Sequence, residues 1–355
     1  MSVNHISKKY WTKKKVLITG HTGFKGYWLS LWLERLGAKV FGISLPPIYS
    51  PNLYSICNFE GFNQSIMCDI RDFEALSKHC KSLNPDVIFH LAAQPLVRES
   101  YQNPLDTFST NFMGTANLLE SMRGLSNLES SVLITTDKVY QDSSIKKDFK
   151  EEDPLGGYDP YSSSKAASEL LIDSYRKSYF DKGGIPVASA RAGNVIGGGD
   201  WSKDRLIPDA IKAWQNKKEL VIRSPNATRP WQHVLEPLYG YIVLAQEMAS
   251  SPEKAQAYNF GPDSDSTASV KDVIEIARQC FGCGEVNYSN INQGPKESAW
   301  LSLNIEKSRK ELGIQPRWNL HETISHVISW YVEFLSGKDP ITLCNQQIDL
   351  YESSE

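Results

Sequence analysis

Tyr161 and Lys165 stand four residues apart at the start of a predicted helix. Residues at i and i+4 share a helix face, so the phenol and the ammonium point the same way. An ammonium beside a phenol favours the phenolate and lowers its pKa from about 10 toward neutrality. Tyr161 is therefore expected to exchange a proton with an alcohol. The plain alternative is a solvated surface pair. A second group, Thr135-Thr136-Asp137-Lys138, follows the β-branched run Ser131–Thr135. A threonine hydroxyl at a strand end can reach a substrate oxygen. Asp137 and Lys138 add an acid and a base that simple hydride transfer does not need; a merely polar strand terminus is the alternative.

Gly20-His-Thr22-Gly23-Phe24-Lys25-Gly26 lies between an apolar run, Lys15–Thr19, and a helical pattern from Phe24 to Leu36. The early glycines allow a tight turn and close backbone approach to a pyrophosphate. The last lets helix and strand pack, and the helix N-terminus then faces the phosphates. An acid closing the second strand would bind a ribose 2′-hydroxyl. Here that strand closes Gly42-Ile43-Ser44-Leu45, with neither an acid nor an arginine for a 2′-phosphate. Asp69-Ile70, after the third strand, suits an adenine ring. The balance favours NAD over NADP.

These groups need elements to hold them. Strands are predicted at 15–19, 39–43, 64–67, 86–89, 131–135 and 187–190. They alternate with helices at 24–36, from Asp72 to about 82, at 105–122 and at 162–179. That order predicts an α/β fold, a Rossmann-type doubly wound parallel sheet. After Arg191 the pattern turns irregular, with Gly-, Trp- and Arg-rich loops at 193–201 and 224–233. Helices follow at 206–215, 234–249, 270–281 and 320–335. The expected division is a cofactor domain over 1–190 and a smaller, mixed α/β C-terminal substrate lobe over 191–355, interleaved with it.

The chain has 355 residues, 41% hydrophobic and 22% charged, an ordinary globular composition. Lys and Arg number 38 against 41 Asp and Glu, a net charge of −3, without the basic field of a nucleic-acid binder. The basic N-terminal segment lacks a following apolar run, so no secretory signal is expected. The apolar stretch at 324–335 is too short to span a membrane. Cys280 and Cys283 are one pair without a second, so no metal site is expected. Reduced thiols and a cytoplasmic location follow.

Taken together, Gly20 to Gly26, His90-Leu91-Ala92-Ala93-Gln94, Ser109-Thr-Asn111 and the Tyr161/Lys165 pair resemble the extended short-chain dehydrogenase/reductase family, over almost the whole chain. Finer runs resemble its nucleotide-sugar 4,6-dehydratases, and among them those acting on CDP-glucose: Thr135–Tyr140, Gly156–Lys165, Arg191–Trp201, Asp204–Asp209 and Arg229–Tyr241. Related dTDP-sugar enzymes carry Asp-Glu where Asp137-Lys138 stands. The resemblance implies bound NAD contacted by Leu91, Ala92, Ala93, Asn111, Tyr161 and Lys165 as well as the glycine turn. It implies that Tyr161, aided by Thr136 and Lys165, takes the proton of the sugar C4 hydroxyl while hydride passes to NAD. The 4-keto group then acidifies C5. Asp137 protonates the departing C6 hydroxyl, Lys138 is the base or its electrostatic partner, and hydride returns to C6. The product is a 4-keto-6-deoxy sugar for deoxysugar and surface-polysaccharide synthesis. Gln94, Asn194, Arg205, Arg223, Arg229 and His233 are candidates to hold the substrate, since arginine forks suit phosphate oxygens. Glu297 joins them, although Ser302 and Asn304 replace the lysine and aspartate of relatives in that run. A homodimer, or a tetramer, through the helices at 105–122 and 162–179 is also implied. The competing readings are a nucleotide-sugar epimerase, a 4,6-dehydratase of another nucleotide sugar, and a non-catalytic NAD-binding sensor or scaffold.

Overall fold

The computed structural model of the chain describes residues 5–57, 61–141, 146–263, 267–289 and 301–354. Seven strands form its main sheet: β1 (Lys15–Thr19), β2 (Lys39–Ser44), β3 (Phe62–Met67), β4 (Val87–His90), β5 (Ser130–Ile134), β6 (Val187–Ala192) and β7 (Ala257–Phe260). Their order is β3-β2-β1-β4-β5-β6-β7, and every neighbouring pair is parallel. The chain turns outward in opposite directions from β1. The crevice beyond the carboxyl ends of β1 and β4 is therefore the place for a ligand.

The central strands are apolar on both faces, as a sheet covered by helices on each side requires. Val16, Ile18, Val87, Phe89 and Val132 bury into one core, and Leu17, Ile88 and Leu133 into the other. The first core continues without a break to Trp330 and Tyr351. β7 was not expected from the sequence. It is a four-residue run that acquires strand geometry only by pairing with β6. With it, residues beyond 191 complete the sheet, and the helix Leu235–Ser250 packs against β5.

The helix predicted over 105–122 is interrupted. Pro104–Phe108 passes through a wide π turn, Ser109–Met113, into Gly114–Met122. The helix predicted over 162–179 begins at Pro160, runs to Tyr175, and ends in a second π turn, Arg176–Phe180. The carboxylate of Asp159 caps it, accepting from the Ser162 N–H at 2.9 Å and the Ser162 hydroxyl at 2.6 Å. Pro340–Ser353 is a helix that buries Leu343, Ile348 and Tyr351, and Trp32 Nε1 donates to the Glu352 carboxylate at 2.7 Å. All six cysteines are free thiols. Among the described residues no helix is long and apolar enough to cross a membrane, and no His, Cys, Asp and Glu cluster could hold a metal.

Beneath the carboxyl ends of β5 and β6 lies a buried ion pair, Arg191 Nη2 to Glu169 Oε2 at 2.8 Å. The second Glu169 oxygen accepts from the Thr135 hydroxyl at 2.5 Å, and the Ser189 hydroxyl donates at 2.7 Å. Arg191 also donates to the Tyr140 hydroxyl at 2.9 Å. Arg191 is thus structural. Losing one partner would strand a buried charge. Arg191→Met is expected to cost about 3–5 kcal/mol in denaturant unfolding, and adding Glu169→Met should recover much of that loss.

Candidate active site

The glycine turn is shaped by close approach. Gly20 has φ +80°, and a Cβ there would sit 2.6 Å from the Ala92 nitrogen; one on Gly26 would sit 2.1 Å from the Gly20 carbonyl oxygen. No other residue type fits either position. The turn is fastened to β2, where the Thr22 hydroxyl bonds the Ser44 hydroxyl at 2.8 Å and donates to the Leu45 carbonyl at 2.9 Å. Ser44 stands where an acid would meet a ribose. The segment Leu91-Ala92-Ala93 lies partly exposed alongside the turn. This cradle, with the first turn of the helix Phe24–Arg35 behind it, fits the diphosphate of a dinucleotide.

Asp69 is engaged by its neighbour: Arg71 donates to its carboxylate, the shortest bond 2.6 Å, and holds its pKa below the ordinary value. Ile70 packs against Gly114, where a Cβ would lie 2.4 Å from Ile70 Cδ1. Asn111 is almost fully buried. Its Oδ1 accepts from the Gln94 N–H at 2.8 Å, and its amide donates to the Gln94 carbonyl at 3.1 Å and the Ser164 hydroxyl at 2.9 Å. Asn111 thus ties the loop after β4 to the helix Pro160–Tyr175. Gln94 also spends its side chain within the protein, on Thr107 at 2.8 Å and on both polar groups of Leu96. It shapes the loop, and its amide is not presented to a substrate as expected from the sequence.

At the end of β5, Thr136, Asp137, Tyr161 and Lys165 are brought together and buried. Thr136 donates to Asp137 Oδ1 at 2.9 Å. Asp137 Oδ2 is buried without a partner. Burial raises the Asp137 pKa, against the pull of Lys138, Thr136 and Arg229. Gly193 makes room for this carboxylate, since a Cβ there would meet Oδ2 at 1.9 Å. Lys138 is partly exposed beside it.

The Tyr161 phenol departs from the sequence expectation. Burial pushes it up to about 12, with the Thr136 hydroxyl pulling the other way. The Lys165 Nζ donates to the Ile134 carbonyl at 3.1 Å. Burial brings Lys165 itself down to about 8, opposed by Glu169 one turn further along the helix. Two histidines nearby are held neutral. His90 accepts and donates between Thr19 at 2.6 Å and Thr115 at 3.1 Å, and burial takes it to about 3. His21 bonds Ser65 at 2.7 Å, and burial takes it to about 4.

The residues beyond β6 divide. Arg229 is buried and acts on Asp137. Arg205 lies 3.7 Å from Asp200 and reaches the same cluster through its influence on Tyr161. Asn194 has φ +48° and a buried amide nitrogen without a partner. Arg223 is exposed, 3.6 Å from Asp204. His233 is fully buried, edge-on to Trp318 at 4.7 Å and to Trp28 at 6.2 Å. This is a core position and not a substrate contact, because the aromatic run around it favours packing over solvent. Trp201 packs on Trp330 and Phe334. Glu297 lies outside the described residues. Lys25, expected at the cofactor as part of the glycine turn, has Arg205, Lys165 and Asp137 as charged neighbours. One residue that the sequence reading missed is Tyr241, fully buried beside Tyr161 and Asp137, in a helical pattern that reads as packing.

Comparison with known proteins agrees with this geometry. A family model described as GDP-mannose 4,6 dehydratase matches residues 17–327. The CDP-glucose 4,6-dehydratase of Salmonella typhimurium is 42% identical over 355 residues, covering 98% of this chain and 99% of that protein. Among solved structures, UDP-glucuronic acid 4-epimerase from Bacillus cereus, in complex with UDP-glucuronic acid and NAD, matches with a TM-score of 0.76 at 25% identity, over 90% of this chain and 99% of that one. The fold is likewise shared with dTDP-glucose 4,6-dehydratase from Bacillus anthracis, in complex with NAD, at a TM-score of 0.74 and 23% identity over 92% and 99%. The chain belongs to the GDP-mannose 4,6 dehydratase family of extended short-chain dehydrogenase/reductases.

Proposed function

We propose that this chain is an NAD-dependent CDP-glucose 4,6-dehydratase, forming CDP-4-keto-6-deoxyglucose and water. The observation that carries the reading is Asp137, buried beside Tyr161 and displaced toward its protonated form. An epimerase has no use for such an acid; an elimination that expels a C6 hydroxyl does. The 42% identity to the Salmonella enzyme supports CDP-glucose as the substrate. The glycine cradle fits a dinucleotide, and the 4-epimerase from Bacillus cereus holds NAD.

Bound NAD supplies a reversible hydride acceptor. The chain's own groups manage protons and position. Tyr161 acts as the phenolate, stabilised by the positive charge of Lys165; it takes up the C4 hydroxyl proton and becomes the phenol, while the Thr136 hydroxyl orients the same oxygen. Asp137 delivers its proton to the departing C6 oxygen. Lys138, partly exposed at its side, takes the C5 proton or steadies the charge that develops there. Arg205 and Arg229, with the Asn194 amide, hold the nucleotide diphosphate. A cytoplasmic protein serving deoxysugar and surface-polysaccharide synthesis fits this activity.

The adjacent helical segments Pro104–Phe108, Ser109–Met113 and Pro160–Tyr175 leave Leu105 84%, Met113 49% and Leu170 63% exposed. So much apolar surface on neighbouring elements supports a homodimer through this face.

Three measurements test these readings. Purified protein with NAD should convert CDP-glucose to a product with the alkaline absorbance and NMR spectrum of a 4-keto-6-deoxy sugar. Turnover of dTDP-, GDP- or UDP-sugars in its place would overturn the substrate. Tyr161→Phe should lose about 10²–10⁴-fold in kcat while still binding NAD; retained turnover would remove Tyr161 from the acid/base role. Sedimentation should give a dimer, and Leu105→Glu with Leu170→Glu a folded monomer. A dimer surviving both changes would place the interface elsewhere.

A further inference from the structure

Gln232 is a buried polar side chain that the reaction above does not use. It is 3% exposed and stands in the short strand Gln232–His233, which pairs with Val195–Ile196. Its amide nitrogen donates to two main-chain carbonyls, Gly193 at 3.2 Å and Phe260 at 3.0 Å. Both partners are acceptors, so the nitrogen end of the amide must face them. Its own backbone N–H donates to the Asn194 carbonyl at 3.4 Å. The amide oxygen is buried without a partner among the described residues.

The corner held in this way is the wall behind the acid. A Cβ on Gly193 would lie 1.9 Å from Asp137 Oδ2 and 2.3 Å from its Oδ1, so the Gly193 main chain rests against the whole carboxyl group. Asn194 has φ +48°, a left-handed conformation that a residue other than glycine keeps only where its surroundings impose it. The main-sheet ladder does not reach this corner, because β6 ends at Ala192. Gln232 ties it instead to Phe260, the last residue of β7 and the register partner of Ala192. Phe260 in turn stands edge-on to Tyr241 at 5.5 Å.

A glutamine serving packing alone is poorly suited to this place. An aliphatic side chain would fill it without burying an unpartnered oxygen. What the amide adds is a fixed link between the Gly193 corner and the end of β7. We propose that Gln232 is a positioning residue for the elimination step: by fixing Gly193 and Asn194 it holds the Asp137 carboxyl where its proton can reach the departing C6 oxygen. In that step the C6–O bond breaks and the oxygen leaves as water with the Asp137 proton. The electron pair of the C5–H bond becomes the C5–C6 double bond, and the C5 proton goes to the base. The inference rests on the function proposed above. Oxidation at C4 depends on Tyr161 and Thr136, and Gln232 bonds neither, so the two halves of the reaction should separate in a variant.

The test is rapid mixing of CDP-glucose with the NAD-loaded enzyme, read by the near-ultraviolet absorbance of reduced nicotinamide. Oxidation at C4 raises this absorbance, and hydride return to C6, which must follow elimination, removes it. In Gln232→Met the rise should keep its wild-type rate and the decay should slow about 10–100-fold, so that reduced cofactor accumulates. NAD affinity, measured by calorimetry, should be unchanged. Where loss of both amide bonds unfolds that variant, Gln232→Glu, kept neutral by burial and retaining one donor, reads the same two rates with a smaller defect. Equal slowing of rise and decay overturns the proposal and makes Gln232 a general brace of the core. A decay at the wild-type rate overturns it as well. If the wild type releases no 4-keto-6-deoxy sugar, the function reading falls, and this inference with it.

Discussion

The ion pair between Glu169 and Arg191 sits below every group that faces the cleft, and it links elements that are distant in sequence. Glu169 lies one helical turn after Lys165, so its charge acts on that lysine. Its two oxygens gather Thr135 at the end of β5 and Ser189 on β6. Arg191 extends the connection to Tyr140, which follows Asp137 and Lys138, and to the Glu151 carbonyl at 3.0 Å. A buried pair of this kind is weak evidence for stability, since desolvation offsets most of its attraction. What it supplies is geometry. Helix, two strands and the loop carrying the acid cannot shift separately without stranding a charge. The Tyr161, Asp137 and Lys165 side chains depend on that restraint for their relative placement.

Above this pair the electrostatics have a common direction. Tyr161 and Asp137 are raised, and Lys165 and Lys25 are lowered. In all four the largest cause is burial, and in all four it favours the neutral form. Elsewhere near the cleft, His90 and His21 are moved the same way. Such a site resists holding charge by itself and accepts it with a bound partner. That suits chemistry in which protons move between groups while the net change is zero. At Tyr161 the cost of burying the phenolate outweighs what the Thr136 hydroxyl and the nearby cation Arg205 return.

Much of this was legible in the sequence, because much of it is local. The glycine turn, the Tyr161 and Lys165 spacing and the apolar central strands are written in spacings of one to four residues. β7 was not legible: Ala257–Phe260 has no alternation of its own and becomes a strand only beside β6. The uses of Gln94 and Asn111 were hidden for a related reason. An amide in a cofactor-side motif looks the same whether it meets a ligand or a main-chain carbonyl 17 residues away. His233 stands in a run that looks like a binding loop, yet its neighbours Trp28 and Trp318 come from opposite ends of the chain. The π turn at Ser109–Met113 left no mark on the helical periodicity, although it is the segment that contains Asn111.

The division of labour between Asp137 and Lys138 is where burial decides most. The two residues are adjacent in sequence, so their side chains leave a short 3₁₀ turn in different directions. Asp137 is only 1% exposed and retains an unpartnered oxygen. A carboxyl group so placed is costly as an anion, and the cost favours the protonated acid. A protonated carboxyl can give a proton to a leaving hydroxyl, but it cannot first remove one from carbon. Lys138 is the partly exposed member of the pair. The attraction between the two opposes burial at Asp137 without overcoming it. The asymmetry between these adjacent positions is thus one of burial, and Gly193, by leaving room for the Asp137 carboxylate, is the residue that permits it.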